Sequence, residues 1–478
     1  MTSKLKIAGW VALGALAGGL TTMQFGATAR SSMAPLPMED MAQLARAFGL
    51  IKSDYVEAVD EKKLIGDAIS GMAAGLDPHS VYLDKVGFKE FRESTSGRFV
   101  GVGIEIGMED GVVKVVSPIE GSPAFRAGLK TGDLITKIDD TAVKGLTMDQ
   151  AVKRMRGDPN TKVVLNIYRK SESRNFPVTI VREEIHVQSV RAKIVEPGYG
   201  WVRITQFQER TVEDFVTKVD KLFKDEPKMK GLVLDLRNDP GGYLEGAIAV
   251  SAAFLPKDAL VVSTNGQLAE SKKEFRARSS DYIGPYGSDP LAKLPAGIKT
   301  VPVVVLVNEG SASASEIVSG ALQDHKRAVL MGGQTFGKGS VQTVRQLTAD
   351  TALKITTARY YTPNGRSIQA KGIVPDVMVD ESADGNVYSA LRVRESDLEK
   401  HITSGQGAEV KDAARDKARE DAIKKIEEAN AKKGEAPKLA EFGSPEDFPL
   451  KQALNQLQNK PVVASKTMTE RKSEDNKN

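Results

Sequence analysis

The residues best suited to chemistry lie in one stretch, 301–342, reading VPVVVLVNEGSASASEIVSGALQDHKRAVLMGGQTFGKGSVQ. VPVVVLV is a short β-branched apolar run of the kind that forms a buried strand. NEGSASAS reads as a tight turn of small and polar residues, and EIVSGALQD has the apolar spacing of a helix. A serine at such a strand-to-helix turn sits where backbone N–H groups lack partners and the helix dipole is positive. Attack by its hydroxyl on a carbonyl creates an oxyanion that those N–H groups can hold. The hydroxyl needs a base. Lys338 stands between Gly337 and Gly339, which give the backbone freedom to aim one amine at a fixed point. A desolvated lysine has a depressed pKa and can take a proton at neutral pH. Ser313 and Lys338 are the candidate dyad.

Two other readings use the same residues. Small residues before a helix also serve as plain caps and close-packing positions. Gly332, Gly337 and Lys338 fit all but the last position of the phosphate loop GxxxxGK(S/T), which would make the chain a nucleotidase. That last position holds Gly339, so the hydroxyl needed for magnesium is displaced to Ser340.

NEGSASASEI, FGKGSVQ and TARYYTPNGRSIQAKGIVPDV together resemble the C-terminal processing peptidases, or tail-specific proteases, over residues 40–385. The resemblance implies that the nucleophile is the serine of the SASE core, Ser313 rather than Ser311 or Ser315. The base is the lysine of GKG, Lys338, twenty-five positions on, as in the family. It places Gln342, one helical turn's spacing past the lysine, as the residue that orients the amine, and Asp324 as a supporting acid. LDLRNDPGG is a second signature of the family. Through it the resemblance implies an oxyanion hole formed by the N–H of Gly242, with Gly241 the alternative, and that of Ala314. Asp235 and Asp239 read as structurally paired carboxylates. They are not read as metal ligands, because no third ligand accompanies them at a workable spacing.

These residues need a scaffold. YGWVRITQF, TVEDFVTKVDKLFKD and GLVLDLRNDPGGYLEGAIAVSAAFL read as strand, amphipathic helix and strand–turn–helix, so the expected fold class is α/β and multidomain. The core is expected over 185–385. Within it, the polar, Gly- and Pro-punctuated 264–299 reads as an exposed connection near the cleft.

Residues 97–184 carry FVGVGI, SPAFRAGLKTGD and MDQAVKRMRG and resemble a PDZ domain, expected over 89–184. Its logic is β-addition: a peptide's C-terminus pairs with the strand at 102–106 while loop N–H groups capture the terminal carboxylate. Val100, Gly101, Val102, Gly103 and Ile104 form that loop and strand. Val152 and Met155 join Val102 and Ile104 in lining an apolar terminal pocket. The resemblance makes Arg156, at the helix end, the candidate for coupling peptide binding to the active site.

Residues 1–29 read as a secretory signal: Lys4 and Lys6, an apolar segment, then Ala27-Thr28-Ala29. The alternative is an uncleaved anchor, although the apolar segment is short for a membrane span. The expected location is the periplasm. In 30–88, Met41, Leu44, Phe48, Ile51 and Tyr55 form one helical seam. The resemblance implies subunit contacts there, hence a homo-oligomer. His79, in LDPHSVYLD, is expected to bond neighbouring backbone. Beyond 386, a charge-laced helix precedes a second helix with Leu450, Leu454 and Leu457 on one side, which docks or assembles, and a disordered end.

Composition sets the outer bounds. The 478 residues include no cysteine and four scattered histidines, with a net charge of +4. That excludes disulfides, thiol nucleophiles and cysteine-based zinc sites, and nothing calls for nucleic acid. The sequence therefore predicts an exported serine endopeptidase without cofactor or metal, acting on proteins with apolar C-termini, with an adaptor as a possible activator. The competing class is a PDZ-based binding or chaperone protein with a latent protease domain.

Overall fold

The computed structural model describes residues 36–463 apart from 110, 284–286, 383–390, 408–418, 421–422 and 424–439. The residues read as a secretory signal, most of those read as a charge-laced helix and the polar end lie outside the described residues.

The architecture follows from two strands that are buried at every position. Gly231–Asp235 and Val303–Val307 have the burial of strands covered on both faces. They lie side by side in a six-stranded sheet of order Val190–Glu196, Tyr199–Ile204, Gly231–Asp235, Val303–Val307, Val329–Gly332 and Val377–Met378. The last five run parallel and the first is antiparallel. Alternate side chains face opposite ways along each strand. Leu232, Leu234, Val303 and Val305 join Phe215, Ile248 and Ile317 of the helices Thr211–Asp225, Leu244–Phe254 and Ala314–Asp324. Val233, Val304 and Leu306 join Leu450 and Leu454 of the helix Phe448–Leu457.

That last helix therefore docks on the sheet. Its N-cap Asp447 forms a buried ion pair with Arg237 at 2.7 Å, and Arg237 also holds Asp235 at 2.6 Å. A second sheet carries Val81–Leu83, Ala352–Tyr361, Leu260–Gly266 and Lys273–Arg276, with Ser340–Gln346 paired to Ala352–Tyr361. Part of the segment expected to be a plain connection is thus a strand. Lys273–Arg276 pairs with Leu260–Gly266, and Ile298 is buried in the main core. Its sparse apolar residues are spent on these contacts, which is why the stretch reads as polar.

The PDZ region forms its own sheet, ordered Ile104–Glu109, Val112–Pro118, Leu134–Ile138, Lys162–Arg169 and Arg174–Val181, with Thr141–Ala142 attached to Leu134–Ile138. Ile104–Glu109 is an edge strand, open on one side. Arg98–Gly101 pairs with Glu183–His186 as a two-stranded stem.

The first compact unit spans Met1–Gly71. Its helix Met38–Asp54 has no buried residue, and Met41, Leu44, Ile51 and Tyr55 of the expected seam are exposed. Among the described residues no helix is long and apolar enough to cross a membrane.

Candidate active site

Three neighbouring parallel strands end side by side, and the loops leaving their C-terminal ends carry the site, as is usual in α/β sheets. The strand ending at Asp235 leads to Gly241-Gly242, that ending at Val307 to Ser313, and that ending at Gly332 to Lys338. Ser313 is the N-cap of Ala314–Asp324, with φ 52° and ψ −108°. A non-glycine residue held at positive φ stores strain that the surroundings must impose, a recurring feature of active-site residues.

What imposes it is the neighbouring turn. The Ala312 N–H donates to Asp239 O at 2.9 Å, and Ser315 Oγ donates to the same carbonyl at 3.0 Å. A Cβ at Gly241 would fall 2.8 Å from Ala314 N and 2.9 Å from Ser313 Cβ, so only glycine permits this approach. Gly242, at φ 146°, would place a Cβ 1.9 Å from Phe207 O. Neither the Gly242 nor the Ala314 N–H donates to an acceptor among the described residues.

The lysine loop is tied to the serine turn by Glu316, a fully buried carboxylate. Oε2 accepts the N–H of Ser313 at 2.7 Å and of Lys338 at 2.9 Å. Oε1 accepts the Gly337 N–H at 2.7 Å and the Thr335 hydroxyl at 2.5 Å. Burial nevertheless pushes the Glu316 carboxyl up to about 7. Lys338 Nζ donates to Gln342 Oε1 and, at 3.2 Å, to Ser340 O. Burial lowers the Lys338 amine to about 8. Lys354 pushes the same way, against the carboxylates of Glu395, Glu316 and Asp77. Gln342 reaches the amine from a strand, Ser340–Gln346, rather than from a helix. A bulge between Val341 and Gln342 turns its side chain to the same side as Lys338.

Ser313, Lys338, Gln342 and Gly242 line one cavity of about 1290 Å³, together with apolar surface from Phe88, Phe91, Val341 and Tyr360. No hydrogen bond joins Ser313 Oγ to Lys338 Nζ among the described contacts. Such bonds are often long before substrate binds.

Several residues stand elsewhere than expected. His79 Nε2 does not bond neighbouring backbone. It contacts the buried Glu395 carboxylate at 2.7 Å, a pairing across more than three hundred residues. Glu395 in turn accepts from Gln369 Nε2 at 2.8 Å, and Gln369 Oε1 accepts the Gly339 N–H at 3.0 Å, so this chain backs the lysine loop. Asp235 is ion-paired as expected. Asp239 is not: it accepts the Gly241 N–H at 2.8 Å, its other oxygen has no hydrogen-bond partner among the described residues, and burial pushes it up to about 8. Asp324 holds the 363–366 turn, accepting from Asn364 N at 2.8 Å and from the Arg366 guanidinium. Glu316 was legible as the last position of a Ser-x-x-Glu capping box. Glu395 and Gln369 carry no local signal. Among the described residues no group of three or more His, Asp or Glu could hold a metal ion.

In the PDZ region, Val102, Ala151 and Met155 are buried in one cluster with Ile104 against it, whereas Val152 is outside that cluster. Carbonyls of Val102 and Gly103 accept from Ala124 N at 2.9 Å and from Ile119 N at 3.0 Å. Their own N–H groups have no acceptor among the described residues. At Gly103, φ 78°, a Cβ would meet Ser122 Cβ at 2.4 Å. Val100 and Gly101 sit in the stem ladder opposite Glu184 and Glu183. Arg156 follows the helix Met148–Met155. It bonds Glu93 Oε2 at 3.1 Å and lies 4.9 Å from the Phe99 ring centroid.

Comparison with known proteins gives this geometry its family. Residues 198–379 match peptidase family S41, residues 100–180 the PDZ domain, and residues 18–87 the activating protease CtpB N-terminal domain. The chain is 42% identical over 372 residues to a carboxy-terminal-processing protease of Bartonella bacilliformis, covering 77% of this chain and 82% of that protein. It is 37% identical over 407 residues to a probable CtpA-like serine protease of Staphylococcus aureus, covering 82% and 77%. Among solved structures it is similar to a photosystem II D1 C-terminal processing protease, at 29% identity and TM-score 0.39, over 71% of this chain and 93% of that one. The chain belongs to the carboxy-terminal-processing protease family, with a PDZ domain preceding a peptidase family S41 core.

Proposed function

We propose that this protein is a serine endopeptidase working through a Ser313–Lys338 dyad on substrates chosen by their C-termini. The observation that carries the reading is the state of Lys338: a buried amine, lowered toward neutrality, whose donors are engaged by Gln342 Oε1 and Ser340 O, in the cavity that strained Ser313 also lines. A neutral lysine so held takes the Ser313 hydroxyl proton. Oγ then bonds to the scissile carbonyl carbon, and the oxyanion is met by the N–H groups of Ala314 and Gly242, with Gly241 keeping the turn close. Lys338 returns the proton to the leaving amine, and the acyl-enzyme remains. A water, deprotonated by the same amine, hydrolyses the ester and releases the acid. Gln342 orients the amine and Asp324 secures the far end of the serine helix.

Substrate choice rests on the PDZ edge strand Ile104–Glu109. The open N–H groups of Val102 and Gly103 would receive a terminal carboxylate, and the apolar surface around Val102, Ile104, Val152 and Met155 the last side chain. Arg156 is the proposed link to the cavity. The leader-like residues 1–29 support export to the periplasm. The exposed seam of Met38–Asp54 supports self-association, which sedimentation of the full chain against a chain lacking 36–60 would test.

A second reading has one observation in its favour. The missing Ser313–Lys338 hydrogen bond fits a latent enzyme that a partner or adaptor must activate, or a binding protein. The deciding experiment is cleavage of an unfolded protein with an apolar C-terminus by wild type, Ser313→Ala and Lys338→Ala. Turnover by wild type alone supports the dyad. Turnover that survives Ser313→Ala sinks it, and silence from all three favours latency.

A further inference from the structure

The amine that serves as base is aligned by more than its immediate partner. Gln342 presents its carbonyl oxygen to Lys338 Nζ, while its Nε2 donates to Ser340 Oγ at 2.9 Å and Thr356 Oγ1 at 3.3 Å. Thr356 Oγ1 donates to Asp77 Oδ1 at 3.1 Å. Asp77, 4% exposed, also accepts His79 N at 2.8 Å and Ser80 N at 2.9 Å on Oδ1, and the Ser80 hydroxyl at 2.6 Å on Oδ2. Burial would push this carboxyl up, but the donors from Ser80, His79 and Thr356 outweigh it and hold it below the usual range.

An ionised carboxylate can only accept. It therefore draws the single Thr356 hydroxyl proton to itself, leaving a lone pair of Thr356 Oγ1 facing Gln342. Only the amide's NH2 end can satisfy that lone pair, so its oxygen must face Lys338. A neutral lysine has two N–H groups and one lone pair. Here both N–H groups have acceptors, Gln342 Oε1 and Ser340 O, and the lone pair remains. Were the amide reversed, its N–H would donate into that lone pair and occupy the base.

We propose that Asp77 is a positioning residue for the reaction, setting the orientation of the Gln342 carboxamide through the Thr356 hydroxyl so that Lys338 keeps its lone pair for Ser313. This rests on the dyad reading above. It gives the LDPHS segment, which otherwise has no chemical task, a direct link to the base. The charged groups facing Lys338 are Glu395, Lys354, Glu316 and Asp77, with His79 behind Glu395. Of the carboxylates, Asp77 alone reaches Nζ through side-chain hydrogen bonds by way of Gln342.

The test compares Thr356→Val, which keeps shape and loses the hydroxyl, Thr356→Ser, which restores it, and Asp77→Asn, beside wild type and Ser313→Ala. Turnover of an unfolded protein with an apolar C-terminus is followed against pH, with melting temperatures recorded. Thr356→Val is expected to lower kcat by about tenfold or more with KM unchanged, the scale of one lost hydrogen bond in the transition state. Thr356→Ser should recover to within about threefold of wild type. Asp77→Asn should lower kcat and move the acid limb of the profile to lower pH, because a negative charge that favours the ammonium is removed. A purely structural role would lower melting temperature in step with rate and leave the pH limb in place. Wild-type kcat in Thr356→Val, or no rescue by serine, overturns the relay. If that happens while Ser313→Ala is inactive, the relay alone has failed; activity in Ser313→Ala removes the dyad and the relay together. If the wild type proves latent, NMR titration of the Lys338 amine in Thr356→Val decides: an amide reversed to donate into the lone pair favours the neutral amine and lowers its pKa, and an unmoved value overturns the relay.

Discussion

One oxygen of Glu316, Oε2, accepts the backbone N–H of both Ser313, at 2.7 Å, and Lys338, at 2.9 Å. Two loops from different strand ends are thereby referenced to a single buried atom, and the strained φ of Ser313 is held from the same point. A glutamine cannot do this, because whichever way its amide turns, one pair of donors meets an NH2. We expect Glu316→Gln to lower kcat about ten- to a hundredfold with KM little altered. The basis is that a buried donor left without a partner costs about 1–3 kcal/mol. Steady-state kinetics decide; an unchanged kcat would show that the loops hold their places without this carboxylate.

The amine of Lys338 predicts a pH profile. Only the neutral form can accept the serine proton, and burial has lowered its pKa to about 8. Activity should therefore climb about tenfold per pH unit below that value and level off above it. A rate that is flat from pH 5 to 9 would contradict lysine as the base.

The sequence made the scaffold legible where a single element carried its own signal. VPVVVLV and GLVLD lack any alternation because both faces of their sheet are covered, and EIVSGALQD shows its helical face. The lysine's surroundings were less legible. Gln342 lies four positions from Lys338, a helical spacing, yet it reaches the amine across a bulged strand. Glu395 and Asp77 act through bonds to residues some hundreds of positions away, and a contact of that kind leaves no periodic trace. His79 illustrates the cost: its neighbours in sequence imply a bond to nearby backbone, and in space its ring faces Glu395.

Asp239 yields a prediction about stability rather than rate. Its carboxyl is buried with no ion-pair partner among the described residues, and burial raises its pKa to about 8 from an ordinary 3.8, against the weaker pull of Arg203. The folded state thus binds a proton that the unfolded state gives up. The associated stability is fully present below about pH 4 and is lost as pH rises through 8. Asn at this position keeps the acceptor for Gly241 N–H and cannot ionise. The melting temperature of Asp239→Asn relative to wild type should therefore rise steadily between pH 5 and 8. A difference that stays constant over that range would mean the carboxyl titrates normally in the folded protein.

Arg156 stands where the PDZ helix meets the cavity, bonded to Glu93 and lying over Phe99, both of which line that cavity. The residues proposed to hold a peptide tail, Val102 to Ile104, do not depend on its side chain. Arg156→Ala should therefore leave the affinity for an apolar tail peptide within about threefold of wild type. What should fall is the advantage that a tail confers: the ratio of turnover for a substrate bearing it to that for the same substrate without it. Lysine should not restore the ratio, because it lacks the planar group that lies on the Phe99 ring while bonding a carboxylate. Fluorescence anisotropy with the peptide and turnover with the paired substrates separate the two effects. A preserved ratio would move the coupling away from this contact, toward the stem of Arg98–Gly101 and Glu183–His186.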